Sequence, residues 1–175
     1  SVTNNSAADL HLTGPIYGTG SIRKSGIGNL VLEGTNSATG NIVIGQGKLT
    51  LGSMASIAAP TVDIRAGAEL NTQALGTGLV LNAGQTLTGM GAVVGGLALE
   101  NGAILAPGSN YVAGTLSVTG AVNMAAGARL RIDLGPSTTV GSGSNDLLVV
   151  NGDLNLTGPV VVEFVFPGGL PSSPG

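Results

Sequence analysis

Cysteine is absent from the 175-residue chain. The absence excludes a disulfide scaffold and a thiolate metal site. It is compatible with an exported bacterial protein, which must stay unfolded enough to pass through a membrane. The chain begins with Ser1 rather than Met, and no signal peptide is visible. We therefore expect a processed or excerpted segment of a longer precursor.

Charged and aromatic residues are scarce. Charged residues make up 9% of the chain, whereas an average soluble domain has about 25%. Aromatic residues make up 2%, although 42% of the chain is hydrophobic. A conventional α/β enzyme, whose helices carry charged outer faces, is therefore disfavoured. We predict a narrow core of Val, Leu, Ile and Ala.

A strongly basic face and a long apolar run are also missing. The net charge is −3, and nucleic acid would require a basic surface to neutralise its phosphates. No run approaches the 18 apolar residues of a membrane span. We therefore predict no nucleic-acid partner and no membrane insertion.

Glycine and short alternating apolar segments are abundant, with 31 glycines in all. Leu30–Leu32, Ile42–Ile44 and Leu49–Leu51 are each apolar at alternate positions and end near glycine. Alternation at period two indicates a β-strand with one buried face, and glycine allows sharp turns between strands. Few segments suit a helix, because Gly, Asn, Thr and Val are dense throughout.

The same pattern of apolar pair, glycine corner and apolar residue recurs along the chain. Its glycines are spaced by 20, 17, 18, 25 and 25 residues, and they are Gly47, Gly67, Gly84, Gly102, Gly127 and Gly152. A period of this length is typical of a solenoid, in which each repeat buries its apolar face against the next.

Two β architectures fit these turns. Asn101-Gly102, Asn151-Gly152 and the turn at 82–84 are compatible with hairpins of an antiparallel sandwich. Corners repeating every 17 to 25 residues instead favour a right-handed parallel β-helix, since parallel pairing needs a return path of a dozen or more residues. We predict this all-β fold, as one elongated domain of seven or eight coils roughly 35 Å long.

Three segments are expected within that domain. Residues 1–23 form an entry segment and first coil, residues 24–166 form the β-helix coils, and residues 167–175 form a tail or linker rich in Pro, Gly and Ser.

Part of the pattern resembles a known family. The run from Gly26 to Asn36 is GIGNLVLEGTN, and after Gly40 the run from Gly47 to Leu51 is GKLTL. These residues resemble the autotransporter-associated β-strand repeat, also called the passenger-associated transport repeat, although Ala38 stands where that repeat often has an aromatic residue. The matching motif residues are Gly26, Gly28, Leu30, Leu32, Gly34, Gly40, Gly47, Leu49 and Leu51. The resemblance implies a right-handed β-helical passenger region of a secreted or surface-exposed bacterial protein.

Candidate catalytic residues are few. His11 is the only histidine, and its position between Leu10 and Leu12 predicts an outward strand residue. Asp63, Glu69 and Glu100 could stack on one face, as in a β-helical polysaccharide-degrading enzyme. Such a site would need aromatic and basic residues to hold sugars, and the chain has two Tyr and two Phe. We therefore predict no enzyme activity, no cofactor and no metal.

Two non-catalytic roles at the cell surface remain open. The first is a structural β-helical module. The second is an adhesin or glycan-binding segment that contacts host or surface glycans through the exposed loop Pro136–Asn145 together with Tyr17 and Tyr111.

The ends of a β-helix raise the question of assembly, because an open coil exposes backbone hydrogen-bonding groups and apolar core. The C-terminal strand carries one charge, Glu163, and its candidate contact residues are Val160, Val162, Phe164 and Phe166. Head-to-tail stacking of copies would form a fibre. Alternatively, flanking coils of a longer chain cover the ends.

Overall fold

The computed structural model describes residues 2–5, 7–109, 112–137 and 143–168. Over these residues the chain is all-β, with a single turn of 3-10 helix at Gln73–Leu75 and no α-helix. The strands are β1 Val2–Asn4, β2 Leu10–Leu12, β3 Ile22–Lys24, β4 Asn29–Leu32, β5 Thr35–Asn36, β6 Ile42–Ile44, β7 Lys48–Leu51, β8 Ser56–Ile57, β9 Thr61–Ile64, β10 Glu69–Asn71, β11 Leu79–Leu81, β12 Thr86–Gly89, β13 Ala92–Val94, β14 Leu97–Leu99, β15 Ile104–Pro107, β16 Thr115–Val118, β17 Val122–Met124, β18 Arg129–Asp133, β19 Leu147–Val150, β20 Leu154–Leu156 and β21 Val161–Val165.

The strands form parallel sheets in which the strand order follows the chain. Sheet A has the order β1-β3-β6-β9-β12-β15-β18-β21, and sheet B has the order β2-β4-β7-β10-β13-β16-β19. Sheet C contains β11-β14-β17-β20, and sheet D pairs β5 with β8. The chain visits sheet A, then sheet B, then sheet C or D, and returns to sheet A one layer further on. This is the path of a β-helix, so the predicted all-β solenoid is confirmed, and the eight strands of sheet A agree with seven or eight coils.

Residue partners in neighbouring coils show that the coils differ in length. Ile42 pairs with Val62, Leu105 pairs with Leu130, and Leu130 pairs with Val162. The longest coil contains residues 134–146, which connect β18 to β19. The coils therefore lengthen by insertion at the connections, while the strands keep their register.

The core is a narrow column of aliphatic side chains. Ile42, Val62, Leu87 and Leu105 occupy successive coils of sheet A and are at most 2% exposed. The other buried hydrophobic side chains of the described part are also Ile, Leu, Val, Ala or Met, as the composition predicts. Burying one such Leu, Ile or Val side chain contributes about 1.5–3 kcal/mol, and the stacked coils repeat this contribution.

The glycine corners differ from the expectation of one repeated position. Gly47 and Gly67 lie between sheets A and B, Gly84, Gly102 and Gly127 lie between sheets C and A, and Gly152 lies between sheets B and C. Sequence alone aligned these corners because most of them use the same tight turn, in which a glycine takes a positive φ.

The corners at Gly84, Gly102 and Gly127 are joined by backbone hydrogen bonds from coil to coil and are not hairpin turns. The amide of Gly84 donates to Gly102, and that of Gly102 donates to Gly127, both at 3.1 Å. Asn101-Gly102 therefore turns the chain from one parallel sheet to another. Backbone hydrogen bonds continue from coil to coil through this corner, which leaves its amides paired.

Candidate functional site

The leucines of the predicted motif form the core between two coils. Leu30 pairs with Leu49 and Leu32 pairs with Leu51 where β4 meets β7, and all four side chains are fully buried. Alternation within each strand places them on the inner face. These residues contribute to stability and are not accessible to a ligand.

The glycines of the motif lie against the preceding coil. A Cβ atom added at Gly28 would lie 2.5 Å from the carbonyl oxygen of Ala8, and one added at Gly34 would lie 2.8 Å from the carbonyl carbon of Gly14. Gly40 has the same kind of contact with the coil before it, Gly47 lies against Gly26, and Gly26 has a φ of 88°. Close contact between coils therefore accounts for glycine at these positions.

The three carboxylates considered as an acidic cluster do not stack. Asp63 lies in β9 between Val43 and Thr88, whereas Glu69 lies in β10 beside Lys48. Glu100 is exposed at the corner that follows β14. The hypothesis fails geometrically because Asp63 and Glu69 belong to different sheets of the same coil.

Each remaining candidate for acid-base chemistry has a local partner or lies apart. His11 is exposed in β2, as predicted, and its Nδ1 lies 3.3 Å from Oε1 of Glu33. The carboxylate of Glu69 lies 3.0 Å from Nζ of Lys48. Within the described part of the chain, no three His, Asp or Glu residues come together as a metal-binding group.

The predicted contact strand lies at the edge of sheet A. Val162 and Phe164 are 50% and 56% exposed, and Val160 and Phe166 are half-buried. Strand β21, which contains Val162 and Phe164, pairs with β18 on one side only. Beside it, Leu154 and Leu156 of β20 are also exposed. The last coil thus leaves its apolar side chains uncovered in this structure.

A polar groove, which we call the sheet A groove, crosses the outer face of β6, β9, β12, β15 and β18. It consists of two adjoining pockets of about 210 and 290 Å³, which share Thr61, Thr88 and Ser109. The polar side chains that line it in the strands are chiefly Thr61, Asp63, Thr86, Thr88, Arg131 and Asp133. They meet here because outward residues of successive coils stack directly over one another.

The segment Pro107–Ser109 forms one wall of the groove and is fixed to β12. Gly89 and Gly108 exchange backbone hydrogen bonds of 2.8 Å, and Oγ1 of Thr88 donates to the carbonyl oxygen of Gly108, also at 2.8 Å. Ser109 and Val112 exchange backbone hydrogen bonds of 3.0 and 2.8 Å. The wall is therefore held by backbone hydrogen bonds as well as by a side chain.

Asp146 accepts two backbone hydrogen bonds close to the groove. Its Oδ1 accepts from the amide of Gly114 at 2.9 Å, and its Oδ2 accepts from the amide of Asp133 at 2.8 Å. Burial raises the pKa of Asp146, and these two hydrogen bonds oppose that rise. The carboxylate joins the loop after β15 to the end of β18.

Asp63 is the least satisfied polar group in the groove. Its side chain is 12% exposed, and Oδ2 lies 2.8 Å from Nη2 of Arg65. Its Oδ1 is buried and has no hydrogen-bond partner among the described residues. Burial raises the pKa of Asp63, whereas the charge of Arg65 lowers it.

Several buried polar residues were missed from the sequence. Lys24 is fully buried, and its Nζ donates to the carbonyl oxygens of Gly26 and Gln46 at 2.6 and 3.2 Å. Oγ1 of Thr72 donates to the carbonyl oxygen of Gly96 at 3.0 Å. Alternation with Ile22 was the available signal for Lys24, because residues two apart in a strand share a face.

The loop and aromatic residues proposed for glycan contact are placed only in part. Tyr17 is 73% exposed, whereas Tyr111 and residues 138–142 lie outside the described residues. The base of the loop is held by Asn145, whose Oδ1 accepts from the amide of Gly135 at 2.8 Å. No helix in the described part is both long and apolar enough to cross a membrane.

Comparison with known proteins gives a partial similarity. The chain is similar to the Adhesin BmaC autotransporter of Brucella suis biovar 1 (strain 1330), with 45% identity over 58 residues. These residues are 33% of this chain and 2% of that protein, so the match covers a very small part of its length. No family model matches the chain, and no solved structure matches it.

Proposed function

We propose that this chain is a structural, rod-forming segment of a bacterial protein that is secreted or displayed on the cell surface. The β-helical path and the partial similarity to a protein named as an autotransporter adhesin support this role. Catalysis has no part in it, because the candidate carboxylates are dispersed over different sheets.

The observation that carries the proposal is the uncovered last coil. Leu154 and Leu156 continue the buried column of Val122 and Met124, yet they are 49% and 58% exposed. Exposed strand edges with apolar faces favour addition of a further strand. The proposed cover is another layer of parallel coils, supplied by a second copy stacked head to tail or by the same polypeptide.

Electron microscopy and light scattering of the purified chain test how the ends are covered. Stacking of copies predicts filaments that grow with concentration and that are lost in the double variant Val162→Lys, Phe164→Lys. The control Val80→Lys changes an exposed side chain of β11, away from the last coil, and should leave filaments intact. A stable monomer at high concentration contradicts stacking and favours cover by the same polypeptide.

Surface display is tested separately by labelling intact cells with an antibody against the purified chain. Labelling without permeabilisation is expected. Labelling that requires permeabilisation contradicts an exposed location.

An adhesin role is the second candidate, supported by the name of the partly similar protein and by the exposure of Tyr17. In this proposal the loop Pro136–Asn145, together with Tyr17 and Tyr111, contacts glycans. A glycan array that shows binding by the native chain, with loss after deletion of residues 138–142, would support contact through the loop. Uniformly negative arrays with folded protein contradict it.

A further inference from the structure

The faces of the rod do not all have the same number of layers. Among the described residues, sheet A has eight strands, whereas sheet B has seven. The third face also has seven layers, because the segment at Ile16, whose carbonyl oxygen accepts from the amide of Ser37, precedes the two strands of sheet D and the four of sheet C. The additional layer belongs to sheet A, which begins with β1 and ends with β21.

This unequal count determines how a second copy can stack on the last coil. β1 and β18 each precede the sheet B strand of their own coil, β2 and β19. A copy whose β2 lies over β19 therefore brings its β1 over β18, which is the position that β21 occupies. A copy placed one layer higher would leave a missing strand in sheet B and another in the third face. A continuous rod thus has room for only one of the two strands, β1 or β21.

Columns of paired residues fix the register of such a copy. In sheet A one column begins with Val2 and Ile22 and ends with Val162. In sheet B another column begins with Leu10 and ends with Val150. Both columns follow the rod, so one translation places Val150 beside Leu10 and Val162 beside Ile22 of the second copy. Seven layers of about 4.8 Å make this translation roughly 34 Å.

The length and charge of β21 suit the edge of β3 that β1 covers. β21 has five residues, whereas β1 has three, so the replacement loses no backbone pairing. In the register above, Glu163 takes the place of Thr3 and lies directly beside Arg23 of the second copy. Both Glu163 and Arg23 are exposed. Opposite charges that lie directly across from each other on one face of a sheet stabilise the pairing of their strands.

The same placement covers apolar side chains at both ends of the rod. The segment at Ile16 of the second copy lies over β20, where Leu154 and Leu156 are 49% and 58% exposed. Leu10, which is 39% exposed, comes to lie over the last strand of sheet B. Phe164, which is 56% exposed, packs on the hydrocarbon chain of the buried Lys24. Burial of these surfaces favours the joined rods over the separate ones.

We propose that copies of this chain join head to tail by strand replacement. β21 keeps its pairing with β18, and its free edge pairs with β3 of the second copy in the place of that copy's β1. The displaced β1 leaves the sheet, and the joined rods form one solenoid with a repeat of seven layers. The proposal rests on the rod-forming role described above, and it commits to a second copy as the cover of the last coil.

Engineered cysteine pairs test the replacement, because the native chain contains no cysteine. Paired residues of neighbouring strands are about 4.8 Å apart, and a disulfide needs Cα atoms roughly 4.4–6.8 Å apart. The variant Arg23→Cys, Glu163→Cys should therefore form a ladder of disulfide-linked multimers on a non-reducing gel after oxidation. The control Thr3→Cys, Glu163→Cys should give about tenfold less linked multimer, since displaced β1 is not held within disulfide distance.

Deletion of residues 1–5 tests the competition between β1 and β21 for the same edge. The deletion removes β1 but keeps Asp9, whose Oδ1 accepts from the amide of Asn29 at 2.9 Å. Filaments should appear at a concentration about tenfold lower, because about 1.4 kcal/mol is no longer needed to displace β1. Deletion of residues 171–175 removes the same number of residues beyond β21 and should leave that concentration unchanged.

The outcomes separate strand replacement from stacking and from the rod-forming role. A ladder from Thr3→Cys, Glu163→Cys in place of Arg23→Cys, Glu163→Cys would show that β1 stays in its sheet, which overturns replacement and leaves stacking. Loss of filaments on deletion of residues 1–5, or an unchanged concentration, also overturns replacement. Folded protein that stays monomeric at every concentration and forms no linked multimers overturns both replacement and stacking. The rod-forming role would then stand, with the last coil covered by the same polypeptide.

Discussion

The side-chain amide nitrogen of Gln85 lies 2.9 Å from the carbonyl oxygen of Ala59, one coil earlier in the solenoid. The same nitrogen donates to the carbonyl oxygen of Ile57 at 3.0 Å, and Oε1 accepts from the amide of Asn82 at 2.8 Å. One buried side chain therefore satisfies backbone groups of two successive coils where the strands end.

Replacing Gln85 with leucine should destabilise the chain by about 2–4 kcal/mol, because three hydrogen bonds to backbone groups are lost and each contributes a net of about 0.5–1.5 kcal/mol. The free energy of unfolding in urea measures the loss. The control Gln73→Leu alters an exposed glutamine of the 3-10 turn and should change stability by less than about 0.5 kcal/mol. Equal effects of the two substitutions contradict the role assigned to Gln85.

Alanine substitutions at two corner glycines distinguish the cost of backbone strain from the cost of steric contact. Gly47 and Gly67 have φ values of 69° and 75°. A Cβ at Gly47 would meet the carbonyl oxygens of Gly26 and Gly28, whereas nothing lies within 4 Å of one at Gly67. Gly67→Ala should cost about 1–2 kcal/mol from the left-handed backbone alone. Gly47→Ala should cost about 1–3 kcal/mol more, since a coil must move. Similar losses in urea unfolding would show that the coils separate easily at this corner.

The fold could be predicted because alternation in a strand gives the face of each residue directly. Leu30 and Leu49 follow this rule, and both are buried. The order of corners could not be predicted, because the turns that end at Gly67 and Gly84 both have the sequence Ala-Gly, although they join different pairs of sheets. Assigning a corner requires knowing where each coil begins, and the coils differ in length.

The groove was harder to predict than the core. Asp63 and Glu69 are six residues apart, and the sequence does not indicate that a corner places them on different sheets. Asp63 alternates with the inward residues Val62 and Ile64, so its position in the strand predicts an outward side chain. It is nevertheless buried at the bottom of a groove that Ser109 also lines. This burial depends on contact between residues more than forty positions apart, which no local pattern records.

Asp63 should make stability depend on pH. Because burial raises its pKa in the folded chain, the folded state binds more protons than the unfolded state between the ordinary Asp pKa of about 3.9 and the raised value. Stability contributed by this group is therefore lost as the pH rises through that interval. Asp63→Asn should become more stable relative to the native chain from about pH 4 towards neutrality, measured by urea unfolding at several pH values.

Arg65 provides the companion measurement, since its charge lowers the pKa of Asp63. In Arg65→Met the carboxyl 13C signal of Asp63 should titrate at higher pH than in the native chain. An unchanged titration would contradict the contribution of Arg65 to the pKa of Asp63. A stability difference between Asp63→Asn and the native chain that is flat with pH would contradict the rise of that pKa by burial.

Lys24 should produce the opposite dependence at alkaline pH. Its side chain is fully buried, and burial lowers its pKa, although the carboxylate of Asp9 opposes this effect. Between the lowered value and the ordinary lysine pKa of about 10.4, the unfolded chain binds more protons than the folded chain. Stability contributed by this group therefore rises with pH across that interval.

The variant Lys24→Met lacks this titration, but it also leaves the carbonyl oxygens of Gly26 and Gln46 without their donor. At every pH the variant therefore carries the cost of these unpaired groups, which is independent of protonation. The difference in unfolding free energy, native minus variant, should increase steadily as the pH is raised towards 10. Arg23→Met removes an exposed positive charge from the same strand and should give a difference that stays constant over this interval. A constant difference for Lys24→Met as well would mean that the buried ammonium group is fully compensated by its three carbonyl partners, Ser25, Gly26 and Gln46.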